Sequence, residues 1–222
     1  MCEARAFSIC NVVKNEDLQV LARSTTVVEA AGCDVFVREG EPAGYFFNIT
    51  AGAVKVFKLL PNGRRGVVGF LFEGDFLGLA GERYAFSAEA LTPVRLCRFP
   101  RRRFCDLLDR LPAMERELLG RASDELKAAQ DQMLLLGRKS AKERVASFLL
   151  NLSSRNERLG LPGNPVRLPM TRTDIADYLG LTTETVSRTL TSFRNEGHIR
   201  LAEASVVQLT DRPGLRALAI AH

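Results

Sequence analysis

The chain has 222 residues, 46% of them apolar and none of them Trp, with 31 Lys and Arg against 26 Asp and Glu and a formal net charge of +5. That length and balance describe one or two globular domains with a real core. No apolar run approaches the ~20 residues that cross a bilayer, and the N-terminus lacks the basic and then apolar stretch of a signal peptide, so the cytoplasm is the expected compartment and no membrane partner is expected.

Five cysteines, Cys2, Cys10, Cys33, Cys97 and Cys105, are an odd number. In a chain without an export signal, thiol or metal chemistry is the better expectation than a disulfide framework. The two histidines are His198 and the terminal His222. A hydrolase or zinc enzyme would have to draw its base or ligands from those positions, which weakens both classes. Charge divides unevenly: residues 1–136 carry 18 basic and 18 acidic side chains, and residues 137–222 carry 13 and 8, so the whole excess of 13 − 8 = +5 sits in the last part. A basic module joined to a neutral one points to an anionic polymer, although a solvated surface explains the excess as well.

In chain order, ten of the 17 glycines fall between Gly32 and Gly81 and separate short runs at Val35–Val37, Tyr45–Ile49, Ala53–Leu59, Gly66–Leu71 and Val94–Phe99. Short strands with regular turns predict an antiparallel β barrel or roll. Pro61-Asn62-Gly63 is a turn signal, so Val54–Leu60 and Val67–Phe72 are expected to form one hairpin.

From about Pro112 the period changes. Leu119, Ala122, Leu126, Ala129, Met133 and Leu136 recur at alternating steps of three and four, a heptad seam on a long amphipathic helix. Two readings of the seam stay open on spacing: packing within its own domain, or pairing with the same helix of a second copy. Gly137 reads as a helix stop or hinge, after which Ala141–Leu152 resumes a helical pattern and Gly160 to Pro165 forms a loop. The expected division is therefore 1–111 for the N-terminal segment and roll, 112–137 for the long helix, and 138–222 for the last domain.

Within that last domain Thr171 and Asp174 resemble a capping box that starts a short helix with Ile175, Ala176 and Leu179 on one side. Gly180 allows a tight turn, and a second helix begins near Thr182 with Val186, Leu190 and Phe193 inward and Gly197 at its end. Two short helices joined by such a turn make a helix-turn-helix. On the outward side Glu184, Ser187, Arg188 and Thr191 lie at i, i+3, i+4 and i+7, which gathers a carboxylate, hydroxyls and a guanidinium of the kinds that read base edges. Any surface helix has a polar stripe, so the specificity lies in the whole pattern. Arg172, Thr173, Thr183 and Arg194 sit near helix ends, where phosphate contacts would set register. His198–Leu201 and Ser205–Leu209 read as two strands of a wing.

These stretches resemble the Crp/Fnr family of bacterial transcription regulators, its Fnr/FixK branch in particular. The resemblance rests on Gln130 through Leu136, Ala141-Lys142-Glu143-Arg144, Met170 through Ile175, and Tyr178 through Thr182 with Glu184 through Arg188. It implies an α+β chain with an N-terminal antiparallel β-roll of the cyclic-nucleotide-binding jelly-roll type, a long dimerisation helix and a C-terminal winged helix-turn-helix. It also implies a homodimer on double-stranded DNA that reads a TTGAT-type inverted repeat through Glu184, Ser187 and Arg188, an activating role, RNA polymerase as a partner, and an oxygen- or redox-linked regulon.

The cyclic-AMP branch grips its ligand with a Gly-Glu pair and an Arg-Ser-Ala triplet. The corresponding stretches here are Gly78-Leu79 and Phe86-Ser87-Ala88, so both charged ligands are absent and no cyclic nucleotide is expected. Fnr-type oxygen sensors instead hold a 4Fe-4S cluster on three N-terminal cysteines and one distal one. Cys2 and Cys10 resemble the last part of that signature, and Cys97 stands at the distal position. One ligand is missing, and it would lie just ahead of Met1 or come from Cys33, Cys105 or outside. Without it the chain resembles the cluster-free FixK branch, controlled by abundance or thiol oxidation. Two other classes compete: a cupin-type oxygenase, for which the roll has no histidine, and a ligand-binding module with a protein partner, which needs no base-reading stripe.

Overall fold

The structure, a computed structural model, describes residues 3–79, 81–203 and 205–220. It divides into two compact units, residues 1–128 and 129–222. The boundary falls inside one long helix.

The first unit opens with two 3-10 turns, Glu3–Phe7 and Ile9–Val12, and a short helix α1, Leu18–Arg23. Eight strands follow: β1 Thr26–Ala30, β2 Val35–Val37, β3 Tyr45–Ala51, β4 Ala53–Leu59, β5 Arg65–Phe72, β6 Phe76–Leu77, β7 Ser87–Ala90 and β8 Val94–Pro100. They form two antiparallel sheets, ordered β1-β8-β3-β6 and β2-β7-β4-β5, which is the expected jelly roll. The predicted hairpin is the β4–β5 pair, in register from Ala53 opposite Phe72 to Leu59 opposite Arg65. Strands β1, β6 and β7 carry too weak an alternation to stand out in the sequence.

Side chains of successive strand residues point to opposite faces, and both faces of the first sheet are buried. Phe47, Ile49 and Leu96 join Val54, Val56, Ala88 and Ala90 of the second sheet in a core between the sheets. Phe46, Phe76 and Phe99, from the other face, meet Ile9, Val13 and Leu21 of the N-terminal segment. Phe104 and Leu107 of helix α2, Arg101–Arg110, complete this aromatic cluster with Met114. Met114 lies near the start of helix α3, Pro112–Arg138. Arg121 ties α3 to the roll: its guanidinium donates to the carbonyls of Gly74 and Phe7, each at 2.9 Å.

The second unit holds the end of α3 and helix α4, Ala141–Arg158, then strand β9 Val166–Arg167 and helices α5 Arg172–Leu179 and α6 Thr183–Asn195. Strands β10 Ile199–Glu203 and β11 Val206–Leu209 and helix α7 Arg212–Ile220 close it. The wing is a three-stranded sheet, β10-β11-β9.

The helix end expected at Gly137 falls one residue later. Helix α3 continues through it to Arg138, and the helix that follows is started by Ser140, whose capping box with Glu143 satisfies the N–H groups of those two residues. A glycine costs a helix about 1 kcal/mol but does not end one unless the chain turns left-handed there, and Gly137 is not among the described glycines with positive φ.

Phe104 is fully buried, with its ring 4.8 Å from that of Phe46, 5.2 Å from Phe99 and 5.4 Å from Phe76. Phe104→Ala is expected to lower unfolding free energy by about 3–5 kcal/mol. A shift of the denaturant midpoint at unchanged slope measures it; a loss below about 1 kcal/mol would contradict the packing described.

Candidate nucleic-acid interface

The expected capping box is present: the Thr171 hydroxyl accepts from the Asp174 N–H at 3.1 Å, and the Asp174 carboxylate accepts from the Thr171 N–H at 3.0 Å. Helix α5 ends at Gly180, which adopts the left-handed conformation at φ 61°. A side chain there is strained, and its Cβ would also meet Arg144 Nη1 and Leu136 Cδ2, each at 3.3 Å. Two residues on, the Thr182 hydroxyl caps α6 by accepting from the Thr185 N–H at 3.2 Å.

Helix α6 buries Val186, Leu190 and Phe193 completely or nearly so. With about 3.6 residues per turn, that burial turns Glu184, Ser187, Arg188 and Thr191 outward, and all four are exposed. The structure therefore brings the predicted base-reading set together on one open face of one rigid helix. Arg188 leans along the helix, its Nη2 3.4 Å from the Thr185 hydroxyl. Glu184 accepts from its own backbone N–H and then from the Thr182 hydroxyl, and these bonds hold its carboxyl below the ordinary glutamate value.

Of the four residues expected at phosphates, Thr173 and Arg194 are exposed, and Thr183 and Arg172 are half-buried. The hydroxyls of Thr183 and Thr173 lie 3.5 Å apart, so the starts of the two helices are neighbours. Burial lowers the Arg172 pKa from its ordinary value.

The wing joins α6 through His198, which sequence reasoning placed in the wing without a role. Its ring packs edge-on to Phe193 with centroids 6.1 Å apart, and its Nδ1 lies 2.8 Å from the Asp211 carboxylate. Asp211 in turn accepts from the Gly214 N–H, the first of the causes, with His198 next, that hold its carboxyl below the usual aspartate value. Nothing in the local sequence announces this contact, because its partners are 13 residues apart.

On α3 the six seam residues Leu119, Ala122, Leu126, Ala129, Met133 and Leu136 are all exposed on the single chain; Leu119, Leu126 and Met133 are 64%, 61% and 70% open. Cys10 and Cys97 are half-buried and pack against the aromatic cluster, while Cys33 and Cys105 are exposed. Cys2 and His222 lie outside the described residues. Among the described residues no three His, Cys, Asp or Glu side chains gather as a metal set.

A model described as a Crp-like helix-turn-helix domain matches residues 143–218, and a cyclic nucleotide-binding domain model matches residues 28–111. The transcriptional activatory protein AadR of Rhodopseudomonas palustris is 42% identical over 196 residues, covering 88% of this chain and 82% of its own. The nitrogen fixation regulation protein FixK of Bradyrhizobium diazoefficiens is 38% identical over 221 residues, 99% of this chain and 93% of its own. The solved structure of FixK2 from Bradyrhizobium japonicum superposes with a TM-score of 0.83 at 36% identity, covering 89% of this chain and 98% of that one. Fold, helix-turn-helix geometry and relatives agree: the chain belongs to the Crp/Fnr family of transcription regulators.

Proposed function

We propose that the chain acts as a homodimer that lays its two α6 helices in successive major grooves of a TTGAT-type inverted repeat and activates transcription by contacting RNA polymerase. The observation that carries this is the pairing of two open surfaces: the Glu184, Ser187, Arg188, Thr191 stripe on α6, and an uncharged apolar seam along α3. A groove-inserted helix needs the first, and a twofold operator needs the second. Arg188 forks to a guanine, Glu184 accepts from a cytosine amine, and Ser187 and Thr191 serve adjacent positions. Thr173, Thr183, Arg172 and Arg194 set register on phosphates. No described helix is long and apolar enough to cross a membrane, which is compatible with work on chromosomal DNA in the cytoplasm.

Because the seam carries no charge, burial alone drives pairing, and the dimer forms without a signal. Control by protein abundance or thiol oxidation suits such a dimer. For cyclic nucleotide, Phe86 and Leu79 stand where charged ligands would be needed, and both pack against the apolar clusters of the roll. The Ser87 hydroxyl is already engaged, accepting from the Glu39 N–H at 3.0 Å. For a 4Fe-4S cluster four thiolates are the usual requirement. Cys10 and Cys97 share the aromatic cluster, Cys33 sits on the turn before β2 and Cys105 on the exposed side of α2, so the described thiols do not assemble a ligand set. Iron and acid-labile sulfide in anaerobically purified protein, lost in Cys97→Ser, would establish the oxygen-sensing version of this regulator instead.

Arg188→Ala should weaken binding to the inverted repeat by about 1–3 kcal/mol and relax choice at one base pair. Gel shifts on the four substitutions of that pair check this, and an equal loss on every sequence contradicts the role. The Glu184 carboxyl is held below the ordinary glutamate value, so its base preference should persist on acidification to a lower pH than an ordinary glutamate allows and fade as the proton returns, which gel shifts across a pH series measure. Ala129→Glu places two like charges in the seam and should convert the dimer to monomer in sedimentation while the helical content stays unchanged.

A further inference from the structure

Nothing in the pattern of α6 explains how its orientation is held relative to the paired helix, yet a dimer reads two half-sites only at a spacing its frame enforces. The second unit contains a tie suited to that task. Arg144, in the first turn of α4, donates from Nη2 to the Leu136 carbonyl at 2.8 Å and from Nε to the Lys139 carbonyl at 2.8 Å. The same guanidinium donates from Nη1 to the Leu179 carbonyl at 2.9 Å and lies 3.4 Å from the Gly180 carbonyl.

These acceptors are of two kinds. Leu136 and Lys139 are at the C-terminal end of α3, where helix carbonyls lack partners within the helix, and Leu179 and Gly180 are at the C-terminal end of α5, the turn of the helix-turn-helix. A cation at the negative ends of two helix dipoles is favourable at both. Gln132, one turn earlier on α3, donates from Nε2 to the Tyr178 carbonyl at 2.9 Å, the residue just before the same turn. A Cβ on Gly180 would meet Arg144 Nη1 and Leu136 Cδ2 at 3.3 Å, so both side chains lie close against this turn. The planar fork is what lets one side chain span both sets; an ammonium on a flexible stem cannot hold that many directions at once.

We propose that Arg144 is a positioning residue for DNA recognition: it clasps the last turn of the dimer helix to the turn ahead of α6, so that helix pairing dictates the half-site spacing the protein accepts. This rests on the dimeric reading above. Arg144 needs no contact with DNA to do this, and it acts through the α5–α6 turn.

The test measures affinity for inverted repeats at the preferred spacing, at one base pair more and one fewer, and for a single half-site, at several salt concentrations. Wild type, Arg144→Met, Arg144→Lys and Gln132→Ala are compared, with circular dichroism as the check of fold. Arg144→Met should reduce the preference for the correct spacing by about three- to thirtyfold. Single half-site affinity should stay within about twofold of wild type, and the slope of log K against log salt should be unchanged, since a lost phosphate contact would reduce it by about one. Arg144→Lys should not restore the preference, and Gln132→Ala should reduce it less, in the same direction. An equal loss at every spacing and on the half-site would show a merely structural role and overturn the proposal, as would an unchanged spacing preference. If Arg144→Met does not fold, Gln132→Ala decides, and no change there overturns the clasp. A wild-type protein that ignores spacing sinks the dimeric reading, an outcome distinct from a failure of the variants alone.

Discussion

The site depends on one constraint, the burial of Val186, Leu190 and Phe193 on a helix of 3.6 residues per turn. Once these three are inside, Glu184, Ser187, Arg188 and Thr191 have nowhere to go but out, whatever their chemistry. The position of these four polar groups is thus secured by buried residues on the opposite face of α6. Thr182 and Gly180 supply the other half of the constraint by starting the helix at a defined residue after a left-handed turn. A one-residue slip would rotate the stripe by about 100°, and a slip toward the C-terminus would carry Arg188 into the buried position of Thr189.

The long helix divides its work along its length. Near its start, Met114 is enclosed by the aromatic cluster of the roll, and Arg121 holds the carbonyls of Phe7 and Gly74. Near its end, Gln132 and the carbonyl of Leu136 belong to the tie around Arg144. Between and alongside runs the open apolar seam. One helix therefore carries three kinds of surface, and the seam is the one that stays exposed. The roll spends its apolar residues on two cores, one between its sheets and one against the N-terminal segment and α2. That doubling explains why strands such as β3, buried on both faces at Phe46 and Phe47, show a continuous apolar run rather than alternation.

Much of this was legible in the sequence, and the reasons are local. The capping box at Thr171 and Asp174, the turn at Gly180, the period of α6, the heptad steps of α3 and the Pro-Asn-Gly turn of the β4–β5 hairpin are each written within a few residues. Strand β7 was hidden for the opposite reason. Ser87-Ala88-Glu89-Ala90 has no β-branched residue and carries a charge, yet it lies inside a sheet with Glu89 facing Lys55 at 3.1 Å and Arg65 at 2.6 Å. A buried carboxylate is tolerable there because β4 and β5 bring the counter-charges, and those strands are distant in the chain. The helix end expected at Gly137 lies one residue on, at Arg138: glycine permits a stop, but Ser140 and Glu143 decide where the next helix starts.

By itself the sequence determined the periodicities, the caps and the chemistry offered by the outward face of α6, because hydrogen bonds and side-chain faces within one helix or hairpin depend on spacing along the chain. Tertiary structure alone decided which groups from remote segments meet: Glu89 with Lys55, His198 with Asp211, and Arg144 with the carbonyls of two helix ends. Those contacts join residues whose separation in sequence carries no period, and packing of whole elements is what sets their distance.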